Sequence, residues 1–207
     1  MYFEYCNYNK DIEDYDQELK NIFTAIDQGI TGLALPIHMV REVKEFMPKG
    51  TVLATSIDYP CGYSSTKVRS HMVLNAVKCG VNAIDYVPNQ YFLRNKWTEL
   101  VSEIKGHLEI CREYDATLRV FIDGTKADDI VSLGLRMADL EIEQAFVSIG
   151  YHHQDFFDTL LDAKVLEEDT PLSIIFNGYM WRPDQVEIVK KSGLFGARIY
   201  NLKLWCS

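Results

Sequence analysis

Asp85 stands between Ile84 and Tyr86 in the apolar run Ala83–Val87. A strand covered on both faces is normally apolar throughout. A carboxylate there costs several kcal/mol unless it is paired or put to use. Other polar side chains gather where apolar runs end. They are Glu4 and Asn7, then Asp58, Tyr59 and Cys61, then Asn89, then Arg119 and Asp123. Ser148 follows, ahead of Tyr151, His152 and His153, and then Asn177, Gly178 and Tyr179, and finally Tyr200, Asn201 and Lys203. Asp85 is of the type for general acid–base work, with Arg119 tuning it and Asp123, Ser148 and His152 completing a catalytic set. Glu4, Asn89, Asn177, Gly178, Tyr179, Asn201 and Lys203 are the candidate substrate-binding residues.

Each candidate has a structural alternative. Asp85 and Arg119 also suit a buried ion pair. His152 and His153 suit a surface loop, Asp58 a turn cap, and Cys61 a small packed residue. Glu4, Asp85, Asp123 and His152 are metal-ligand types, but their spacing carries no metal signature. No metal and no cofactor is expected.

These residues need strands to carry them. Apolar runs alternate with amphipathic segments along the chain. Strands are expected at Tyr2–Cys6, Gly32–Leu35, Thr51–Ile57, Ala83–Val87, Thr117–Ile122, Gln144–Ile149, Leu172–Phe176 and Ala197–Leu202. Helices are expected at Asp11–Gln28, Met39–Met47, Asp128–Met137, Phe156–Leu166 and Pro183–Lys191, and over Trp97–Tyr114, the longest. The remaining helix starts at Ser64–Ser65 and ends at Gly80, with Val68, Met72, Val73 and Val77 as its apolar face. Eight strands separated by seven helices predict one domain, a compact α/β (β/α)8 TIM barrel spanning residues 1–207. In that fold the site sits where strands finish. Arg119 and Asp123 then point the same way, toward Asp85 on the neighbouring strand. The alternative, a doubly wound open sheet, lacks a Gly-rich dinucleotide fingerprint after its early strands. The last outer helix is expected to be missing or reduced to residues 203–207. That would leave an apolar flank between the eighth and first strands, and a homo-oligomer would cover it.

Composition sets the outer limits. The 207 residues are 47% hydrophobic and 25% charged, with a net charge of −9. That charge argues against nucleic acid as a partner. It leaves room for one phosphate held locally. No apolar run is long enough for a bilayer, so no membrane partner is expected. The acidic, aromatic start is unlike a targeting peptide, and a cytoplasmic location is the expectation. Five scattered cysteines form neither a disulfide framework nor a zinc pattern.

The stretch IDYPCGYSSTKVR, followed by AIDYVPN, resembles the deoxyribose-phosphate aldolase family. That family has a strand ending in a Pro–Gly turn, a Thr/Ser-rich helix start, and an aspartate in the next strand. Glu4 falls where the family has an aspartate. FID at Phe121–Asp123, NGYMWRPDQ and GARIYN resemble later strands more weakly. The resemblance implies a class I aldolase barrel acting on a small carbonyl or phosphorylated sugar. The family's imine-forming lysine and a second, pKa-lowering lysine lie in strands six and seven. Here Ser148 holds the first position and Ile175 or Phe176 the second. No lysine occurs between Lys126 and Lys164, or between Lys164 and Lys190. The family's phosphate cradle reads Asn177-Gly178-Tyr179 and Asn201-Leu202-Lys203. Lys203, Lys96 and Lys126 are the candidates for a relocated amine. Aldolase-type or other acid–base chemistry at Asp85 is therefore one expectation. An inactive barrel that binds a metabolite or partner is the other.

Overall fold

A computed structural model of the chain describes residues 1–8, 14–123, 129–150 and 155–205. Its strands are β1 Tyr2–Cys6, β2 Gly32–Ala34, β3 Val52–Ile57, β4 Ala83–Tyr86, β5 Thr117–Phe121, β6 Gln144–Phe146, β7 Ser173–Phe176 and β8 Gly196–Ile199. Each pairs in parallel with the next, and β8 pairs with β1, so the sheet closes into a barrel. The register sets Glu4 opposite Arg198 and Asp85 opposite Arg119.

The helices are α1 Tyr15–Asp27, α2 Ile37–Val43, α3 Thr66–Lys78, α4 Gln90–Asn95, α5 Trp97–Glu113, α6 Ile130–Ala138, α7 Phe156–Asp169 and α8 Pro183–Lys191. Local chemistry fixes their starts. Asp14, Asp129 and Asp155 accept from the first free backbone N–H groups of α1, α6 and α7. Pro183 opens α8, where its missing N–H costs nothing. Outward side chains of the strands, such as Tyr5, Leu33, Ile84 and Val120, pack with the buried faces of the helices into the main core. Small inward side chains, Cys6, Ala34, Ala54 and Ala83, line one side of the lumen.

Two expectations need correction. The buried face of α3 is Arg69, Val73, Ala76 and Val77, while Val68 is half exposed. The helix is rotated because Arg69, a charged residue, takes an interior place. The segment before α5 contains α4, a one-turn element that apolar spacing misses because Asn89 starts it by capping. On the flank between β8 and β1 the chain continues past the last strand. A 3-10 helix, Leu202–Leu204, turns the chain back so that Trp205 meets Phe3 with ring centroids 4.5 Å apart. The Trp205 indole N–H points at the Gln28 carbonyl, 3.4 Å away, and Lys190 lies 4.5 Å over its ring. The last outer helix is thus reduced to a 3-10 helix, as expected, and Phe3 and Trp205 on this flank are partly buried.

Candidate functional site

Among the described residues, four buried charges meet inside the barrel. Glu4 from β1, Asp85 from β4, Arg119 from β5 and Arg198 from β8 are each 0–1% exposed. They alternate in sign around a ring. Arg119 donates to Asp85 through Nε at 2.7 Å and to Glu4 through Nη1 at 2.8 Å. Arg198 donates to Glu4 through Nε and to Asp85 through Nη2. Tyr2 adds a 2.6 Å hydrogen bond to Glu4, and Tyr8 adds one of 3.3 Å to Asp85. Every carboxylate oxygen of the ring has a donor. Two acids and two guanidiniums also leave it electrically neutral.

Parallel β-strands make this geometry possible. Side chains two residues apart face the same way. Glu4, Asp85, Arg119 and Arg198 therefore all enter the lumen at one level. Above them Val87, Phe121, Phe146, Ile149 and Ile175 fill the lumen with apolar volume. The Phe146 ring lies 3.9 Å from the Arg198 guanidinium carbon and 4.9 Å from that of Arg119. Flat guanidiniums stack well on such a ring.

The electrostatics follow from this enclosure. Burial alone would raise the Glu4 pKa, but Arg119 and Arg198 outweigh it and hold the carboxyl down at about 2. For Asp85 burial wins and the pKa is raised, with the two arginines opposing and Glu4 adding to the rise. Both guanidiniums are held further into their charged range by the acids, against the effect of burial.

The other expected site residues are placed as follows. Ser148 is buried and its hydroxyl accepts from the Gly150 N–H at 3.1 Å. Asn177 donates to the Ser148 carbonyl at 2.6 Å and accepts from the Tyr200 hydroxyl. Those bonds tie together the ends of β6, β7 and β8. Gly150 has φ 74°, and a Cβ there would come within 3.1 Å of Asn177 Nδ2. A Cβ on Gly178 would run into the Phe176 ring at 2.5 Å, so close packing accounts for this glycine. Tyr179 stacks between Trp181 and Tyr200. Asp123 is buried. Asn89 spends its side chain capping α4, and Asn201 caps the 3-10 helix. Lys203 is exposed on that helix. Lys96 is exposed beside Glu99. Tyr151, His152, His153 and Lys126 lie outside the described residues. Of the two candidate positions in β7, Ile175 faces the lumen, and Phe176 packs outward against Phe156 with centroids 5.6 Å apart. Among the described residues, no lysine is buried and no group of three or more His, Cys, Asp or Glu could hold a metal.

Arg198 is the partner that sequence reading passed over. Its signal was the one used for Asp85: a charge inside an apolar strand, here between Ala197 and Ile199. A second buried charge cluster was also missed. Arg69 lies against Glu103 at 3.0 Å, donates to the carbonyls of Gly62 and Val87, and sits 4.5 Å over Tyr86. Tyr86 donates to Glu103 at 2.6 Å. This cluster pins the β3–α3 turn to the end of β4. Gly62 in that turn has φ 67°, and a Cβ there would meet the Val87 carbonyl at 2.7 Å.

Comparison with known proteins gives the barrel its relatives. No protein-family model matches the chain. The deoxyribose-phosphate aldolase of Clostridioides difficile (strain 630) is 26% identical over 107 residues, 51% of this chain and 48% of that enzyme. The chain thus matches about half the length of that curated relative. Among solved structures, QR15, an aldolase, aligns with a TM-score of 0.78 at 14% identity, over 96% of this chain and 88% of that one. The tetrameric deoxyribose phosphate aldolase from Aeropyrum pernix aligns with a TM-score of 0.74 at 15% identity, over 96% and 84%. The 3-hexulose-6-phosphate synthase from Salmonella typhimurium aligns with a TM-score of 0.73 at 10% identity, over 97% and 89%. At such identities these alignments establish the TIM-barrel fold.

Proposed function

We propose that the chain is a divergent deoxyribose-phosphate aldolase-like barrel that has given up imine chemistry and binds a small carbonyl or phosphorylated-sugar metabolite. One observation carries the reading. The interior acid that resembles the family's proton-relaying aspartate is locked in a neutral four-charge ring, with no solvent-accessible surface. Imine formation needs an amine that can lose its proton. The cations in this lumen are, among the described residues, guanidiniums, which stay protonated in proteins. Acid–base work by Asp85 would need contact between its carboxylate and a substrate, and both oxygens are already engaged by Arg119 and Arg198. The match to the Clostridioides difficile enzyme and the shared barrel support the family assignment and supply the ligand class. Catalysis centred on Asp85 is the competing reading, and its burial weighs against it.

The test uses the whole chain. It is incubated with acetaldehyde or glyceraldehyde at low excess, reduced with borohydride, and weighed intact. No stoichiometric adduct is expected, and one confined to a single lysine would sink the proposal. Thermal melting with 2-deoxyribose 5-phosphate and related sugar phosphates should show a raised midpoint. A midpoint that none of them moves at millimolar concentration removes the ligand class.

A further inference from the structure

Tyr2, Val52, Ala83, Thr117 and Gln144 are the first residues of β1, β3, β4, β5 and β6, and together they line a cavity of about 270 Å³. It lies at the mouth where the strands enter the barrel, opposite the end where TIM-barrel sites are built. A Cβ on Gly32 would collide with the Tyr2 hydroxyl, and one on Gly196 would come within 2.8 Å of the Tyr2 ring. The Tyr2 side chain therefore lies over β2 and β8 and leaves the side from β3 to β6 open. A cavity of about 150 Å³ is enough for benzene, so this one admits a single ring with a substituent.

Two residues beyond Thr117, Arg119 also lines the cavity and is 1% exposed. Its Nη1 donates to Glu4, and its Nε donates to Asp85 Oδ1 at 2.7 Å. Its Nη2 has no hydrogen bond among the described residues. That nitrogen lies 2.6 Å from the same Asp85 oxygen, but its N–H bonds are out of line with it. A buried donor left without an acceptor is costly. A guanidinium only donates, so whatever satisfies Nη2 must bring an acceptor. Gln144 stands opposite Arg119 in the register of β5 and β6, and Thr117 precedes it on the same face of its strand. Both carry a side-chain oxygen that can accept.

Charge narrows the choice of ligand. Arg119 is already balanced within the neutral ring, and Asp115, exposed on the rim, adds a carboxylate. An anion would give up water here without meeting an unbalanced cation, and a cation would face Arg119 itself. We infer that this mouth is a binding site for an uncharged, single-ring amide, whose carbonyl accepts from Arg119 and whose N–H donates toward Thr117 and Gln144. The ring of the ligand lies against Val52, Tyr2 and Phe195, the last two already stacked with centroids 5.9 Å apart. The inference does not rest on the function proposed above. It needs neither an aldehyde nor a phosphate, so the two fail separately.

The probes are benzamide, benzoate and benzamidinium, which share one shape and differ in charge. Each is titrated into the isotope-labelled full chain and followed by backbone amide NMR. Benzamide should give saturable shifts at Ala83, Thr117 and Gln144. Benzoate and benzamidinium should bind at least about tenfold more weakly, because each must bury a charge. Gln144→Trp and Val52→Trp fill the mouth from the β6 and β3 sides, and either should abolish the benzamide shifts at Ala83 and Thr117. Circular dichroism reports folding, and the parent's titration decides where a filled variant does not fold. No saturable shift at these residues would mean that the mouth takes up water only, and would overturn the inference. Equal affinity for all three probes, or full-strength binding in a folded filled variant, would do the same.

Discussion

At the scale of single residues, the barrel interior turns on a sign rule. A buried ion pair is weak evidence for stability, because desolvation consumes most of the attraction. Removing one member is a different matter, since it strands the opposite charge. Asp85→Ala would leave Arg119 and Arg198 sharing Glu4 alone, at a cost of about 3–5 kcal/mol. Adding Arg198→Met removes the stranded charge and should return part of that loss. Urea unfolding of the two single variants and the double variant measures the coupling. An Asp85→Ala protein as stable as the parent would show that the ring does not exist. Asp85 and Arg119 were legible in the sequence because a charge in an apolar strand has few explanations. Their neutrality as a group was not. It depends on which strands come together at closure, and Glu4 and Arg198 are 194 positions apart in the chain.

Elements were more legible than the contacts between them. Alternation of apolar runs gave all eight strands, because burial on both faces writes the same pattern each time. Helix faces were less secure. On α3 the rule that apolar residues point inward chose Val68, whereas the interior place went to Arg69, which is paid for by Glu103 and Tyr86. No periodicity signal marks an arginine that finds its partner on another helix. The flank between β8 and β1 is a similar case. The described residues after β8 form a 3-10 helix, Leu202–Leu204. That turn brings the Trp205 indole onto the Phe3 ring. Trp205→Ala should therefore uncover Phe3 and the outer faces of β1 and β8. The half-buried ring predicts a loss of about 1–2 kcal/mol, less than for a fully buried tryptophan. The newly exposed strip should favour self-association. Light scattering at increasing concentration reads the second effect, and an unchanged molar mass with unchanged stability would show that the turn covers nothing of consequence.

For the whole molecule, acid is the informative stress, because two buried groups lose ground in successive pH windows. His107 is buried between α3, β4 and α5. Its ring lies 5.3 Å from Tyr86, and its Nε2 lies 3.3 Å from the Ser70 hydroxyl. Burial pushes its pKa down to about 4 from 6.5, with Glu103 opposing the fall and Arg69 adding to it. The folded state thus keeps the ring neutral while the unfolded chain takes up a proton. The stability due to this neutrality is complete above pH 6.5 and drains away as the pH falls toward 4. At about 1.4 kcal/mol for each unit of difference, the loss is on the order of 3 kcal/mol. Glu4 follows lower down. Its contribution is intact above 4.5 and is lost as the pH falls through about 2. Asp85, with a raised pKa, takes up its proton more readily when folded and so works against Glu4 in that lower range. The upper window is the cleaner one. His107→Gln keeps a polar group near Ser70 and cannot titrate. Chemical denaturation between pH 7 and 4 should give a steep loss of stability for the parent and a flatter one for the variant. Parallel curves would mean that His107 carries its proton in the fold, and that the α3–α5 interface is wetter than this packing allows.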